Sequence, residues 1–459
     1  MRQLGYLLLL ALFSACTSTQ TNDAPARDHV LIGVQDTRLD PAFWIGRLRA
    51  PERILIDERR ISAQNTKLVQ IDPSMNDLER VPAMLSRSQV RTWIEATSAR
   101  PRTVLFGESG QLAQHAIDEL IEATNLDAVA EQQPVRYGLV VRRADLRTFP
   151  TRMRVFRSPE EVDIDRFQES AVFPGTPVVI VHTSKNGEWL FVVTPRYKAW
   201  IERDHVAEGT AAQVFEYTRR APYVVVTGST ARTVFTPEDP RVSELQLDMG
   251  VRVPLLNDWP ADQPVNGQHP HTGHVVELPV RGEAGELHFR TALLPRAADV
   301  STHYLALTQA NLIRQSFKFL GERYGWGHSY NARDCSGFVS EVYRSFGVQL
   351  PRNTRDQGMS AAFIRIAFSM NDTREQRVER LRSLEVGDLI YIPGHVMMVV
   401  GHDRGLPYVI HDTANIQYRS GAAIVRVPVN GVTVTPLTPD LIAEERVLID
   451  QIYSIQRIR

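Results

Sequence analysis

The sequence predicts a multidomain α+β protein in which two small β-barrels precede a mixed α+β domain. The chain has 459 residues, and because one domain commonly holds ~100–200 residues, three or four domains are expected. Short β-rich runs separated by Gly and Pro turns fill residues 131–300, and helices followed by strands fill residues 301–459. Hydrophobic residues make up 43% of the chain and charged residues 23%, as in an ordinary folded protein.

The N-terminus has the pattern of a signal peptide, which we assign to residues 1–16. A positive charge near the start is followed by an apolar run from Leu4 to Phe13, and two small residues then precede Cys16. The apolar run is too short to span a bilayer. Residues 17–27 are polar and contain proline, which is typical of a tether.

Cys16 has the setting of a lipidated cysteine. The run from Leu12 to Cys16 resembles a bacterial lipobox, in which the cysteine is diacylated and becomes the mature N-terminus. Phe13 is unusual in that pattern, so a plain secretory signal with an incidental cysteine is the alternative. Lipidation would attach the protein to a membrane of the cell envelope, and the absence of aspartate at position 17 resembles sorting to the periplasmic face of the outer membrane.

The two barrels are predicted over residues 131–210 and 211–300, behind a mixed N-terminal segment over residues 28–130. Helical spacing in that segment predicts helices over Ser88–Thr97 and Gln111–Ala123. The strands expected in the barrels are Tyr137–Val141, Pro177–His182, Trp189–Val193, Ala199–Ile201, Tyr223–Thr227, Val251–Leu256, Gly273–Pro279 and Glu286–Thr291.

The last domain, residues 301–459, begins with helices and continues with strands. Apolar residues at helical spacing predict one helix that ends at Gly321 and a second that begins beside Cys335 and ends at Gly347. Cys335 therefore lies at a helix N-terminus. The strands expected after it are Asp388–Ile392, His395–Val400 and Tyr408–His411.

Cys335 is left unpaired if Cys16 carries a lipid, because the chain has two cysteines. An unpaired thiol in an oxidising compartment is a liability unless it has a chemical role, although a free cysteine is also commonly a small buried hydrophobe. The helix N-terminus is expected to lower the thiol pKa and to favour the thiolate. These features make Cys335 a candidate nucleophile.

Two histidines on adjacent predicted strands complete a candidate nucleophilic site. His395 begins one strand, and His411 lies on the next. If the strands pair in register, His395 can take the thiol proton while His411 orients its imidazole. We interpret His182 and His402 as ordinary surface or core residues.

Five short segments around these side chains carry a family resemblance. They are Arg333-Asp334-Cys335-Ser336-Gly337-Phe338, Gly347-Val348, Leu350-Pro351-Arg352, Gly387-Asp388-Leu389 and Gly394-His395-Val396. In order, spacing and local structure they resemble the NlpC/p60-type, papain-like cysteine peptidases of bacterial cell walls. The resemblance extends from about Leu305 to Ile416, and it implies nucleophile Cys335, base His395 and orienting residue His411. It also implies hydrolysis of the bond between γ-D-glutamyl and a diamino acid in peptidoglycan stem peptides or muropeptides.

The upstream part resembles multidomain members of the same family, which have a stabilising N-terminal segment and two bacterial SH3-like barrels. The segments that carry this likeness are Tyr137–Val141, Asp145–Arg147, Asp165–Gln168 and Gly187–Trp189. In related enzymes the first barrel narrows the groove, so that a free N-terminal L-Ala is favoured. Asp145 and Arg147 are candidates for this role here, with a barrel turn or a barrel ion pair as the alternative.

The candidate substrate-binding residues are Tyr324, Trp326, Asp334, Ser336, Arg352 and Asn353. Asp334 can equally act as a helix N-cap, and the two aromatic side chains can equally belong to the core. Backbone amides near Cys335 are expected to form part of an oxyanion hole. Some relatives have an acidic residue after the Pro-Arg pair that binds the substrate amine, whereas Asn353 stands there in this chain, so amine recognition is left open.

The composition argues against several other functions. The 52 basic residues nearly balance the 53 acidic ones, which does not favour a nucleic-acid partner. The sequence has no Walker-type phosphate loop, and His269-Pro270-His271 is a weak metal signal, so no cofactor or metal is expected. Two alternatives to the peptidase stay open: a cell-wall binding lipoprotein with weak or no activity, and an acyltransferase or amidase on the same fold, because amines can also resolve an acyl-enzyme.

Overall fold

The computed structural model describes residues 31, 33–369, 371–443 and 446–459. The predicted signal peptide, Cys16 and the tether lie outside these residues. Within the described ranges, no helix is long and apolar enough to cross a membrane. An N-terminal segment, two β-rich units and a mixed α+β domain follow one another along the chain.

The N-terminal segment packs against both the first barrel and the last domain. Leu85 and Ile94 share an apolar cluster with strands of the first barrel, whereas Trp44 is buried in the core of the last domain. The helix predicted over Gln111–Ala123 begins at Gln114, because Gly110-Gln111 pairs with Phe106-Gly107 in a two-stranded ribbon. The helices are α1 Pro41–Ile45, α2 Glu58–Ile71, α3 Arg87–Thr97 and α4 Gln114–Ala123, and the strands are β1 Ile54–Ile56, β2 Met84–Ser86, β3 Phe106–Gly107, β4 Gly110–Gln111 and β5 Gln132–Pro134.

The first barrel is a seven-stranded antiparallel sheet. Its strands are β6 Arg136–Val140, β7 Ala144–Arg147, β8 Gln168–Val172, β9 Pro177–Thr183, β10 Trp189–Val193, β11 Lys198–Glu202 and β12 Val206–Gly209. They are ordered β12-β6-β9-β10-β11-β7-β8. Both faces of β10 are buried, because one faces the barrel core and the other meets the apolar cluster shared with the N-terminal segment. Helix α5, Ala211–Arg219, begins at a capping box formed by Thr210 and Gln213.

The second β-rich unit surrounds one main apolar core and a smaller apolar cluster. Its strands are β13 Tyr223–Val226, β14 Thr230–Arg232, β15 Gln246–Asp248, β16 Arg252–Pro254, β17 Gly273–Arg281, β18 Leu287–Pro295 and β19 Val300–Ser301. They form the sheets β16-β13-β19, β14-β15 and β17-β18, and their inward residues share one cluster that also contains Phe173 of the first barrel. The two barrels are therefore joined by apolar contact.

The last domain has the mixed α+β fold that the sequence predicts. Its strands are β20 Leu307–Thr308, β21 Ile364–Ala367, β22 Leu389–Ile392, β23 His395–Asp403, β24 Leu406–Ser420, β25 Ala423–Pro436, β26 Leu441–Ala443, β27 Arg446–Val447 and β28 Ser454–Arg457. Its helices are α6 Gln309–Phe317, α7 Cys335–Arg344, α8 Thr354–Met359, α9 Arg374–Arg382 and α10 Leu448–Gln451. The main sheet has the order β21-β28-β22-β23-β24-β26-β27, with β25 paired to β24.

Helix α7 packs on one face of this sheet, and the residues of β23 alternate between its two faces. Val396, Met398 and Val400 lie in the core shared with α7, whereas Met397 and Val399 lie in the core on the other face. The strand predicted to stop at His411 continues to Ser420, because it pairs along its length with β25. The predicted fold class, two small barrels before a papain-like α+β domain, is confirmed.

Candidate active site

Cys335 is the first residue of α7 and is buried. The side chain of Asp334 caps the helix, since its Oδ1 accepts a hydrogen bond from the Gly337 N–H at 2.8 Å. The Cys335 Sγ lies 4.0 Å from the Gly394 carbonyl oxygen, and the Val396 N–H also faces the sulfur. The sulfur therefore lies against the backbone on either side of the histidine that begins β23.

The two predicted histidines form a hydrogen-bonded relay. His395 Nε2 lies 2.8 Å from His411 Nδ1, and His411 Nε2 lies 3.0 Å from Thr435 Oγ1. If both Nε2 atoms carry protons, each ring donates to the next acceptor in the chain. His395 Nδ1 is then unprotonated, which is the state that a general base requires.

Strand pairing explains why the relay exists. His411 on β24 pairs with Thr433 on β25, and Thr435, two residues further along β25, presents its side chain on the same face. His395 follows the two-residue turn between β22 and β23, so it is placed at the end of the sheet. His411 is buried, whereas His395 is partly exposed.

The structure brings Cys335 and the relay to the same end of the sheet without a direct bond. Among the described residues, no hydrogen bond joins the Cys335 sulfur to either imidazole, and its hydrogen bond is the one to Gly394. Catalytic hydrogen bonds are often long before a substrate binds. His395 Nδ1, which lies outside the relay, is the atom available to take the thiol proton.

The expected lowering of the thiol pKa is wrong for this structure. Burial and the neighbouring Asp334 carboxylate raise the pKa of Cys335 to about 12. Burial lowers the pKa of His395 to about 4, and burial together with His395 lowers that of His411. The resting site therefore holds a neutral thiol beside neutral imidazoles, because burial disfavours the charged form of each group.

Arg352 holds the residues around the nucleophile to the first barrel. Its Nη2 donates to Asp334 Oδ2 at 2.7 Å, its Nη1 donates to Ser336 Oγ at 2.8 Å, and its Nε donates to Ser170 Oγ of the barrel at 2.6 Å. Nη2 also lies 3.1 Å from His328 Nδ1. Every nitrogen of this buried guanidinium is thus bound by the protein, so Arg352 positions Asp334 and Ser336.

The other candidate substrate residues differ in placement. Tyr324 is buried near the sulfur, and burial together with the charge of Cys335 raises its pKa, so its hydroxyl is a donor at neutral pH. Trp326 Nε1 donates to the Gln168 carbonyl oxygen of the first barrel at 3.1 Å. Asn353 is exposed, and its Nδ2 donates to Asp356 Oδ2 at 3.1 Å. Their contact with substrate stays a prediction.

The first barrel also meets the loop that precedes α7. Gly327 has a φ of 57°, and a Cβ there would lie 2.8 Å from Gln168 Cγ and 2.9 Å from its carbonyl oxygen. The Gln168 amide donates to the Gly327 carbonyl oxygen and to Asp145 Oδ1. Arg147 forms a buried ion pair with Asp165 inside the barrel. Asp145 and Arg147 therefore serve the barrel and its contact with this loop.

The sequence did not predict the roles of several residues at the site. Thr435 completes the relay from β25, and Asp412 places a fully buried carboxyl on β24 next to His411, where neither oxygen has a hydrogen-bond partner among the described residues. Arg333 and Glu341 form a buried ion pair behind the nucleophile. Arg333 precedes α7, whereas Glu341 lies within it, so no helical spacing predicts their contact, and no local signal marks Thr435 or Asp412.

Four other histidines make ordinary contacts. His182 Nε2 lies 3.0 Å from the Asn125 carbonyl oxygen, and His402 Nε2 lies 3.5 Å from the Leu381 carbonyl oxygen. The rings of His269 and His271 contact each other in an exposed turn. Nowhere in the described ranges do three or more His, Cys, Asp or Glu side chains form a group suited to a metal ion.

The raised thiol pKa predicts a characteristic alkylation profile. Because the thiolate fraction grows about tenfold per pH unit below the pKa, the iodoacetamide labelling rate of Cys335 should keep rising from pH 6 to above pH 9. Mass spectrometry of the peptide that contains Cys335 measures this rate, with urea-unfolded protein as the control. Fast labelling that is independent of pH between pH 5 and 8 would show a thiolate–imidazolium pair and would contradict this expectation.

Asp412→Asn should stabilise the protein at neutral pH. Burial, then the charges of Asp334 and Glu322, raise the pKa of Asp412 well above its usual range, so folding at pH 7 takes up a proton that the unfolded carboxyl has lost. We expect the free energy of unfolding in urea to rise by more than about 1 kcal/mol. The exposed Asp258 provides a matched control as Asp258→Asn.

The pH dependence of this stability change provides a second test. The gain from Asp412→Asn should shrink as the pH falls towards 4, because the unfolded wild-type carboxyl then becomes protonated as well. A loss of stability at pH 7 with no change at pH 4 would mean that the carboxylate is ionised and bound in the folded protein.

Two comparisons place the chain among known proteins. Residues 321–423 match the model of the NlpC/P60 family, and residues 154–202 match an SH3 domain of the SH3b1 type. The gamma-D-glutamyl-L-lysine dipeptidyl-peptidase of Bacillus cereus is 27% identical over 257 residues, which are 53% of this chain and 63% of that protein. The match thus spans less than two thirds of the relative's own length.

A solved structure shares the fold over most of the chain. It is an NlpC/P60 endopeptidase from Photobacterium damselae subsp. piscicida, with a TM-score of 0.70 at 18% identity, and the match covers 87% of this chain and 90% of that one. The NlpC/P60 match includes Cys335, His395 and His411. Residues 321–423 therefore form an NlpC/P60 domain, and an SH3 domain over residues 154–202 lies in front of it.

Proposed function

We propose that this protein is a cysteine peptidase that hydrolyses peptidoglycan stem peptides. The observation that carries the proposal is the placement of the Cys335 sulfur against the start of β23, where the relay of His395, His411 and Thr435 begins. The NlpC/P60 match and the named activity of the Bacillus cereus relative support the same reaction class.

Because the Cys335 thiol and the His395 imidazole are neutral before substrate binds, a general base must take the thiol proton during the attack. His395 Nδ1 takes the thiol proton as the Cys335 sulfur attacks the scissile carbonyl carbon, and the imidazolium that forms is stabilised by hydrogen bonding to His411. The first turn of α7 leaves the Cys335 and Ser336 N–H groups without intrahelical acceptors. These groups, with the Tyr324 hydroxyl, are donors for the developing oxyanion.

The second half of the cycle returns every group to its starting state. His395 gives its proton to the departing amine as the C–N bond breaks, which leaves a thioester on Cys335. A water molecule then attacks the thioester carbonyl, and His395 takes a proton from that water. The tetrahedral intermediate collapses, the carboxylic acid product leaves, and the thiol regains its proton.

The γ-D-glutamyl–diamino acid bond is the bond that we propose is cut. A polar cluster beside the groove suits a free substrate amine. The Tyr197 hydroxyl donates to Glu169, and burial together with the charges of Glu169 and Asp356 raises the pKa of Tyr197. Asp356 contacts Asn353, so two carboxylates supply negative charge near the position where relatives carry an acidic residue.

The cleavage proposal predicts a defined product. Wild type should release L-Ala-D-Glu from L-Ala-γ-D-Glu-diaminopimelate, and it should act more slowly on the disaccharide-linked peptide, because that peptide lacks the free amine. Cys335→Ala should lower turnover by at least about 10³-fold, and His411→Ala by about 10²-fold. Mass spectrometry of the products under reducing conditions measures both effects.

The same assay separates the alternatives. Turnover that survives Cys335→Ala would refute the proposed nucleophile. Absence of turnover by wild type, together with wall binding that Cys335→Ala retains, would favour a binding lipoprotein. Products whose mass includes an added amine would indicate an acyltransferase instead.

We also infer that Cys16 is lipidated and anchors the protein at the periplasmic face of the outer membrane. The support is the sequence pattern from Leu12 to Cys16. Labelled palmitate should enter the wild-type protein in a bacterial host, and Cys16→Ser should abolish the label and move the protein to the soluble fraction, whereas Cys335→Ser should do neither. Labelling that survives Cys16→Ser would refute the assignment.

A further inference from the structure

A cavity of about 430 Å³ lies where the two barrels meet the peptidase domain. The first barrel contributes β8 and the chain before β11, the second contributes the chain around β16, and the peptidase domain contributes α7 and the segment after it. Ligand sites commonly occupy about 300–1,000 Å³ and prefer domain interfaces. Gln349, which lines the cavity, is exposed, so solvent reaches it.

This cavity lies beside the candidate active site, and Arg352 and Tyr197 border both. Cys335, His395 and His411 do not line it, whereas Ser340 and Arg344 of α7 do. At a rise of about 1.5 Å per residue, these two lie about 7.5 and 13.5 Å along the helix from Cys335. The cavity is therefore behind the nucleophile, towards the other end of α7.

The charged side chains that line the cavity are all basic. The lining contains four arginines, Arg196, Arg252, Arg344 and Arg352, and no Asp or Glu is among the described residues that line it. Buried or half-buried guanidinium groups normally have a carboxylate partner. Such a lining is therefore suited to an anion.

Three of the four arginines are bound by the protein. Arg352 pairs with Asp334 at 2.7 Å, and Arg344 donates two hydrogen bonds to the Met249 carbonyl oxygen. The Arg252 guanidinium lies over the Tyr223 ring at 3.9 Å from its centre. Their positions are thus fixed before any ligand enters.

Arg196 differs from the other three. Its side-chain hydrogen bond is a long one, from Nη1 to the Leu350 carbonyl oxygen at 3.4 Å, and within the described ranges no carboxylate forms an ion pair with it. Burial and the charges of Arg344 and Arg352 lower the pKa of Arg196 to about 9. Glu341 and Asp334 oppose this effect from a distance, but a buried cation without an ion-pair partner beside two others is unfavourable, and a bound anion would relieve this repulsion.

We propose that this cavity binds a small organic anion with a carboxylate or phosphate head and an apolar body. The Arg196 fork matches either head in a bidentate manner. The lining residues Val172, Phe173 and Leu350 provide the apolar surface. An inorganic ion alone would leave most of the cavity unfilled, so tight binding requires the apolar body of the ligand.

Calorimetry and thermal unfolding of the full chain test this site. The probes are benzoate, phenyl phosphate and inorganic phosphate, with uncharged benzamide as the neutral analogue. We expect saturable binding and a raised melting temperature with benzoate or phenyl phosphate, a weaker effect with inorganic phosphate, and none with benzamide. The stronger of the two aromatic anions identifies the head group. Because the readout is binding, the result is independent of peptidase activity, and Cys335→Ala should behave as wild type.

Arg196→Gln distinguishes a ligand site from a structural arginine. This variant should bind the anions about tenfold to a hundredfold more weakly, and without ligand it should melt at the same or a higher temperature, because it removes a repulsive charge. Arg59→Gln, on the exposed face of α2, is the control and should bind as wild type. Absence of saturable binding by wild type, or equal binding by Arg196→Gln, would overturn the proposal, as would a melting temperature lowered by that substitution alone.

Discussion

The buried ion pair between Arg352 and Asp334 is the contact on which the site depends. Asp334 also caps α7, and although burial opposes ionisation, Arg352 keeps its pKa at about 2. Arg352 in turn reaches Ser170 of the first barrel and His328 of the preceding loop. Removal of either charge would leave the other buried and unpaired, at a cost of about 3–5 kcal/mol. This ion pair therefore fixes the first turn of α7 and its contact with the first barrel.

This arrangement has a chemical consequence for the nucleophile. A helix N-terminus usually favours a thiolate, but here the carboxylate that caps the helix is also the charge that most strongly opposes ionisation of the thiol. Burial and Asp334 together raise the pKa of Cys335, so the thiol stays protected from adventitious reaction until a base takes its proton. For such a thiol, the position of the proposed base, His395, matters more than the acidity of the thiol. The hydrogen bonds from His395 to His411 and from His411 to Thr435 fix that position.

Local patterns predicted the central residues, and long-range pairings supplied the rest. Cys335, His395 and His411 were found because a helix start and strand alternation are properties of neighbouring residues. Thr435 was missed because its role depends on how β24 pairs with β25, and the arginine cavity was missed because Arg196 and Arg344 come from different domains. The thiol pKa was predicted wrongly because only the helix terminus was considered, whereas burial of the sulfur and the charge of Asp334 decide the result.

Helix α7 explains why the barrels and the peptidase domain form one structure. Its residues from Cys335 to Tyr343 are buried, and the apolar ones pack on the sheet. The polar ones need other partners: Glu341 binds Arg333, which also binds Asp248 of the second barrel at 2.7 Å. A helix with buried charges on one side cannot face water or an apolar surface there without loss. The barrels supply the matching polar groups, and they are therefore part of the structure that holds the nucleophile in place.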